Sequence, residues 1–216
     1  MKNYKNWIEL YERRAAISND IRDASGYNHP LAQLTEQGLD FLVDRITKVL
    51  GLAPADRMLD LGCGVGLITE HLIDKTDLVV GLDANINMLN LASRNVREKT
   101  ILIVGMADEL PFLDKTFDKI LSHSVFQLFP SLKYAEKVLS EIKRVLKKGG
   151  KCLIMDVCDI EKKEQYLKVK NLEQHNLQRL FYDRKWFTNR IPEAKILDLE
   201  VPSYKNSKYR FSVLIS

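Results

Sequence analysis

The sequence predicts an α/β fold built on a doubly wound, mostly parallel sheet, and three observations predict it. From Arg57 onward, short apolar runs alternate with segments whose apolar residues recur every three or four positions. Those short runs are apolar on consecutive residues, as strands covered on both faces must be. The turn after the first run, "LGCGVG" (61–66), concentrates glycines where a strand passes into a helix. With 216 residues, 45% of them hydrophobic, the chain can bury one sizeable core. No Pro/Gly/Ser-rich linker divides it, so a single domain over 1–216 is expected.

Residues 1–50 read as a helical cap. Trp7, Leu10 and Tyr11, then Leu39, Leu42, Val43, Ile46, Val49 and Leu50, form apolar faces at helical spacing, and "ASGYNHP" interrupts them. The core spans 57–157. Its strands are Met58–Leu61, "LVVGLD", "ILIV", "FDKILSH" and "KCLIMDV"; its helices are expected near Gly66–Asp74, Met88–Val96 and Ser131–Lys148. Gly149 is the expected stop of the last of these. Residues 158–216 add a helix near Lys162–His175 and two strands, "AKILDLEV" and "YRFSVLIS". Only "PSYKNSK" separates those two, too short for a parallel crossover, so they pair antiparallel. The expected total is seven strands.

The N-terminus lacks an apolar core of signal-peptide length and no run approaches a membrane span, so a soluble cytoplasmic protein is expected. The three cysteines are too few for a disulfide framework, and Cys63 and Cys152 read as small core residues; no zinc spacing occurs and no metal is expected. The net charge of +4 arises from Asp159 onward, where 12 Lys/Arg face 8 Asp/Glu (12 − 8 = +4). That bias falls short of a nucleic-acid-binding stripe. It reads as a solvated face, or else as attraction for an anionic small substrate.

Gly62, Gly64 and Gly66 form GxGxG, whereas a dinucleotide turn reads GxGxxG/A and would need a small residue at Leu67. Asp60, two residues ahead, is a poor neighbour for a pyrophosphate and a good one for a cation. These residues carry a resemblance. "LDLGCGVG" resembles the first motif of class I S-adenosylmethionine-dependent methyltransferases. "VVGLDANINML" resembles that family's second-strand signature, "GMADELPFLDKTFDKIL" its adenine-site and fourth-strand block, and "EIKRVLKKGGKCLIMD" the helix, turn and fifth strand that follow. The match spans about Arg57–Val157.

The resemblance implies S-adenosyl-L-methionine as cofactor and a last strand inserted antiparallel between the fifth and sixth. It places Gly62 and Gly64 against the methionine and ribose, with Asp60 receiving the amino group. Asp83 would accept both ribose hydroxyls, and Ala84 and Met88 would pack on adenine. Ser122 and His123 would border the methionine. Where many relatives read G-D-A, this chain has Gly105-Met106-Ala107, so Met106 and the Ala107 backbone would contact adenine, with Asp108 as the alternative acceptor for its amino group.

His123 is the first candidate base and His29 the second, while His71 and His175 read as ordinary helix residues. The family often carries Asn at the position of His123, and the sequence offers this histidine no carboxylate partner, which favours a role for its backbone alone. The Asn/Asp-Pro-Pro-Tyr/Phe signature of nitrogen-methylating DNA and RNA enzymes is absent. The acceptor pocket is expected from the helical cap, the loop 126–129 and the tail, with "YNHP" and "LFYDRKWF" as polar-aromatic candidates. The reading is methyl transfer to an oxygen or nitrogen of a small-molecule acceptor, without membrane or nucleic-acid partners; the oligomeric state is not legible. The alternatives are a non-catalytic adenosylmethionine-binding partner subunit, an RNA methyltransferase and an NAD(P)-dependent reductase.

Overall fold

The computed structural model describes residues 2–18, 20–28, 32–169 and 179–216, with residues 2–6 as backbone only. Three helices come first: α1 (Lys2–Ile17), α2 (Ile21–Ser25) and α3 (Glu36–Leu50). There follow β1 (Arg57–Leu61), α4 (Thr69–Leu72), β2 (Leu78–Asp83), α5 (Ile86–Ala92), β3 (Thr100–Val104) and β4 (Phe117–His123). The chain then runs through α6 (Leu132–Val145), β5 (Leu146–Cys158), α7 (Lys163–Val169), α8 (Arg184–Thr188), β6 (Lys195–Leu197) and β7 (Arg210–Ile215).

The seven strands lie in the order β3-β2-β1-β4-β5-β7-β6. All neighbours are parallel except β7, which runs antiparallel to both β5 and β6. The strand order reverses between β1 and β4, the place where open α/β sheets hold ligands at the carboxyl ends of their strands.

Both faces are covered, and the strands show it residue by residue. On β5, Cys152 and Ile154 face one apolar layer while Leu153 and Met155 face the other. The first layer is closed by Ala135, Val138, Leu139 and Ile142 of α6, the second by Leu39, Leu42, Val43 and Ile46 of α3. Each helix begins on a side-chain cap. Thr35 accepts from Gly38 N–H at 3.2 Å, and Ser131 from Tyr134 N–H at 3.2 Å.

Several boundaries differ from expectation. The helix expected from Gly66 starts only at Thr69, because Gly66 sits at φ +75° and cannot open a right-handed helix. The helix expected from Met88 starts two residues earlier, where the Asn85 side chain accepts from the N–H groups of Asn87 and Met88. Helix α6 stops at Val145 rather than Lys148, since Leu146 turns extended to pair with Phe117. Gly149, at φ +77°, therefore bends β5 instead of ending a helix. In the tail, β6 keeps three residues, and Asp198 beyond them turns outward to Arg184 at 2.6 Å. Among the described residues no helix is long and apolar enough to cross a membrane. None of them forms a group of three metal-ligating side chains.

Candidate active site

The carboxyl ends of β1, β2 and β4 open into one cleft enclosing about 1050 Å³, its open mouth included. Asp60, Gly62 and Gly64 line it from the first strand and its turn, Asp83, Ala84 and Met88 from the second, Ala107 from the third loop and His123 from the fourth strand. The cap adds Trp7, Tyr11 and Tyr27. Three sequence candidates lie off this lining. Met106 is exposed to solvent, Asp108 is half-buried outside the lining, and Ser122 is wholly buried on the sheet with its hydroxyl unpartnered among the described residues. His29 lies outside the described residues, as does His175.

The turn is shaped by backbone that only glycine tolerates cheaply. Gly62 stands at φ +80°, and a Cβ there would collide with the Val125 side chain. The N–H groups of Gly62 and Cys63 donate to Leu82 O at 2.7 and 3.1 Å, tying the turn to β2. Gly64 N–H donates to Asp83 Oδ2 and Asn85 N–H to Asp83 Oδ1, both at 2.9 Å. Each carboxylate oxygen keeps lone-pair capacity for one more donor. Asp83 is thus clamped at the end of β2, while Asn85 provides the helix cap. Cys63, expected in the core, is half-buried and lines the cleft.

Asp60 is buried, and the Thr69 hydroxyl donates to its Oδ2 at 2.6 Å. Burial pushes this carboxyl up from 3.8 to about 6, with the Thr69 hydrogen bond opposing the rise and the Asp83 charge adding to it. Burial also raises Asp83, against the backbone donors that hold it down. A folded value above the unfolded one means that the folded chain retains the Asp60 proton between about pH 4 and 6. Stability therefore falls as pH rises through that window and levels off above it. Asp60→Asn is expected to flatten this part of the profile; identical profiles of melting temperature against pH for variant and wild type would refute the assignment.

At the other side of the cleft, His123 Nδ1 lies 3.0 Å from the Tyr27 hydroxyl. The Tyr27 hydroxyl is in turn 3.5 Å from Ser124 Oγ, and the Ser124 hydroxyl donates to Asp156 Oδ2. Asp156 Oδ2 also accepts from the Tyr204 hydroxyl at 2.9 Å and the Gln127 amide at 3.3 Å, and Arg210 pairs with Oδ1 at 3.3 Å. Ser124 and Asp156 both adopt left-handed backbone, at φ +62° and +59°. Such strain at two non-glycine residues on adjacent strand ends is held by this network and marks functional regions. Burial lowers His123 below its ordinary range, and the Asp156 charge opposes this. Burial first and Asp156 second raise Tyr27, so the phenol stays neutral.

Sequence reasoning did not single out Ser124, Asp156 or Tyr204. They are 32 and 80 positions apart along the chain, counting from Ser124 to each, and only the packing of β4, β5 and the tail brings them together. Of the two aromatic clusters, "YNHP" reaches the cleft through Tyr27. The other supplies core: Tyr182 and Phe187 are fully buried.

The lining tests the implied cofactor. It holds two carboxylates, Asp60 buried and Asp83 half-buried, and, among the described residues, no Lys or Arg. That donor set repels a phosphate chain and suits a ligand with cationic groups and a diol. Asp60 and Asp83 would hold the amino and ribose ends of S-adenosylmethionine, and Met88, whose Cε lies beside Gly64, would pack on its apolar part.

Comparison with known proteins agrees. Residues 59–154 match the Methyltransferase domain family. A ubiquinone/menaquinone biosynthesis C-methyltransferase of Wigglesworthia glossinidia brevipalpis is 35% identical over 67% of the chain and 60% of its own length. A sterol 4-C-methyltransferase of Caenorhabditis elegans is 29% identical over 65% of the chain and 44% of its own. The chain thus spans roughly half the length of these relatives. The fold is shared with a SAM-dependent methyltransferase of Methanosarcina mazei, at TM-score 0.62 and 20% identity over 76% of this chain and 92% of that one. Glycine turn, clamped carboxylate, strand order and family match converge: residues 59–154 form a methyltransferase domain, in the fold of the class I S-adenosylmethionine-dependent methyltransferases.

Proposed function

We propose that this chain transfers the methyl group of S-adenosylmethionine to a small-molecule acceptor that enters between the helical cap and the end of β4. The observation that carries the reading is the cleft lining, two carboxylates and no cationic side chain among the described residues, beside a buried histidine whose pKa burial lowers. The sulfonium supplies an already activated methyl carbon when bound. The protein's part is then alignment, exclusion of water and removal of a proton from the acceptor.

The network supports His123 as the group that takes that proton. The Ser124 hydroxyl donates to Asp156 Oδ2, so its Oγ is left to accept from the Tyr27 hydroxyl. Tyr27 then accepts from His123 Nδ1–H, which leaves Nε2 as the bare, basic nitrogen. Oxygen or nitrogen was the acceptor expected from sequence. The C-methyltransferase relatives add carbon, and a base serves a hydroxyl or an acidic carbon more than an amine.

The cofactor half of the reading is tested by calorimetry with S-adenosylhomocysteine. Asp83→Ala is expected to weaken binding by roughly 1.5–3 kcal/mol, the scale of hydrogen bonds to a charged group. NADH should not bind at comparable concentration. Tight NADH binding, or an unchanged Asp83→Ala affinity, would overturn it.

A further inference from the structure

Asn85 stands two residues beyond Asp83 and one ahead of α5, and is only 3% exposed. Both atoms of its side-chain amide are engaged. Oδ1 accepts from Asn87 N–H at 2.9 Å and from Met88 N–H at 3.2 Å. Two donors on one side demand the oxygen there, so the amide has one orientation and Nδ2 faces away from α5. On that other side Nδ2 donates to Ile8 O of α1 at 3.2 Å. Of the short side chains that cap helices well, only asparagine presents an N–H donor on a second atom.

The carbonyl it reaches belongs to the turn of α1 that meets the ligand space. Trp7, Ile8 and Tyr11 of this helix all line the cleft, and the rings of Trp7 and Tyr11 stack with centroids 6.3 Å apart. On its backbone, Asn85 N–H holds Asp83 Oδ1 at 2.9 Å. One buried residue therefore joins three parts of the cleft: the clamped carboxylate, the start of the helix that carries Met88, and the cap helix that carries Trp7.

We propose that Asn85 is a positioning residue of the cofactor site, whose Nδ2–H latches α1 across the cleft and couples closure of the cap to occupancy at Asp83. This rests on the adenosylmethionine reading and deepens it. A cofactor that enters and a product that leaves at each turnover require a cover that opens. A single neutral hydrogen bond suits that task, because its net contribution biases α1 toward the closed position by only about three- to tenfold. Closure sets the apolar side chains of α1 against the ligand and keeps water from the reacting end. The competing account is that Asn85 does no more than cap α5.

The test compares the full chain with its Asn85→Ser and Asn85→Asp variants. Both keep an oxygen to cap α5; the serine hydroxyl is too short to reach Ile8 O, and the ionised aspartate has no donor. Hydrogen exchange is followed by mass spectrometry on peptides of α1 and α5, and S-adenosylhomocysteine binding by calorimetry and stopped-flow release. In both variants α1 should exchange about three- to tenfold faster while α5 exchanges as in the wild type. Adenosylhomocysteine should bind about three- to tenfold more weakly, through faster release. A loss confined to Asn85→Asp assigns the effect to the charge added beside Asp83 and overturns the proposal. Faster exchange confined to α5 assigns capping alone, and faster α1 exchange with unchanged affinity makes the contact structural; either overturns it. Failure of both variants to fold makes Asn85 architectural and overturns it as well. Wild-type protein that does not bind adenosylhomocysteine removes the reading beneath the proposal, a failure distinct from the others.

Discussion

Gly64→Val is expected to leave a folded chain that no longer binds S-adenosylhomocysteine, with affinity reduced about a hundredfold or more. Gly64 stands at φ +56°, where a β-branched residue is strained by roughly 1–3 kcal/mol. Its Cβ position lies 3.4 Å from Met88 Cε, so the added branches of valine extend over the methionine that lines the cleft. The same backbone N–H holds Asp83 Oδ2 at 2.9 Å, and shifting φ to relieve strain would turn that donor away. Turn strain, a filled cleft and a released carboxylate all act in one direction. Gly64→Ala, adding one methyl, should lose less. Circular dichroism and calorimetry together decide the matter: a folded Gly64→Val chain with wild-type affinity would show that the turn is architectural and the ligand lies elsewhere.

His123→Ala is expected to lower the single-turnover methylation rate by about 10²–10⁴-fold, the range for positioned acid–base help, while adenosylhomocysteine affinity changes little. The wild-type rate should rise with pH to a plateau as His123 loses its proton. Burial lowers this histidine, so the midpoint falls below the ordinary value of 6.5. The variant should lack that step. Tyr27→Phe removes the acceptor for His123 Nδ1–H and frees the imidazole to adopt either tautomer. It should fall between the two, with the pH step retained. An acceptor that needs no deprotonation would make His123→Ala lose less than about tenfold, because alignment alone then suffices. That result would return His123 to the backbone role that the sequence favoured.

Along the chain, local chemistry determined a great deal. The alternation of short apolar runs with helical periodicity specified seven strands, and "PSYKNSK" specified an antiparallel final pair; the sheet has both. Asp60 and the glycines were legible because the turn gathers them into positions 60–66, and Asp83 because it closes a short apolar strand just ahead of a helix. Strand lengths and helix ends were less so. Leu146 leaves its helix for a partner on β4, and Gly66 delays the start of α4, and neither preference is written in its immediate neighbours.

What tertiary structure alone decided is the far side of the cleft. The sequence offered His123 no partner, yet Tyr27 reaches it from the cap and Asp156 stands behind Ser124 one strand away. Arg179 and Trp7 are likewise remote in sequence and stacked in space. A motif can be read from sequence when its residues are neighbours, since backbone geometry ties them together. A network whose members come from the cap, two strands and the tail has no such local constraint, and it exists only once the core has packed those elements against one another.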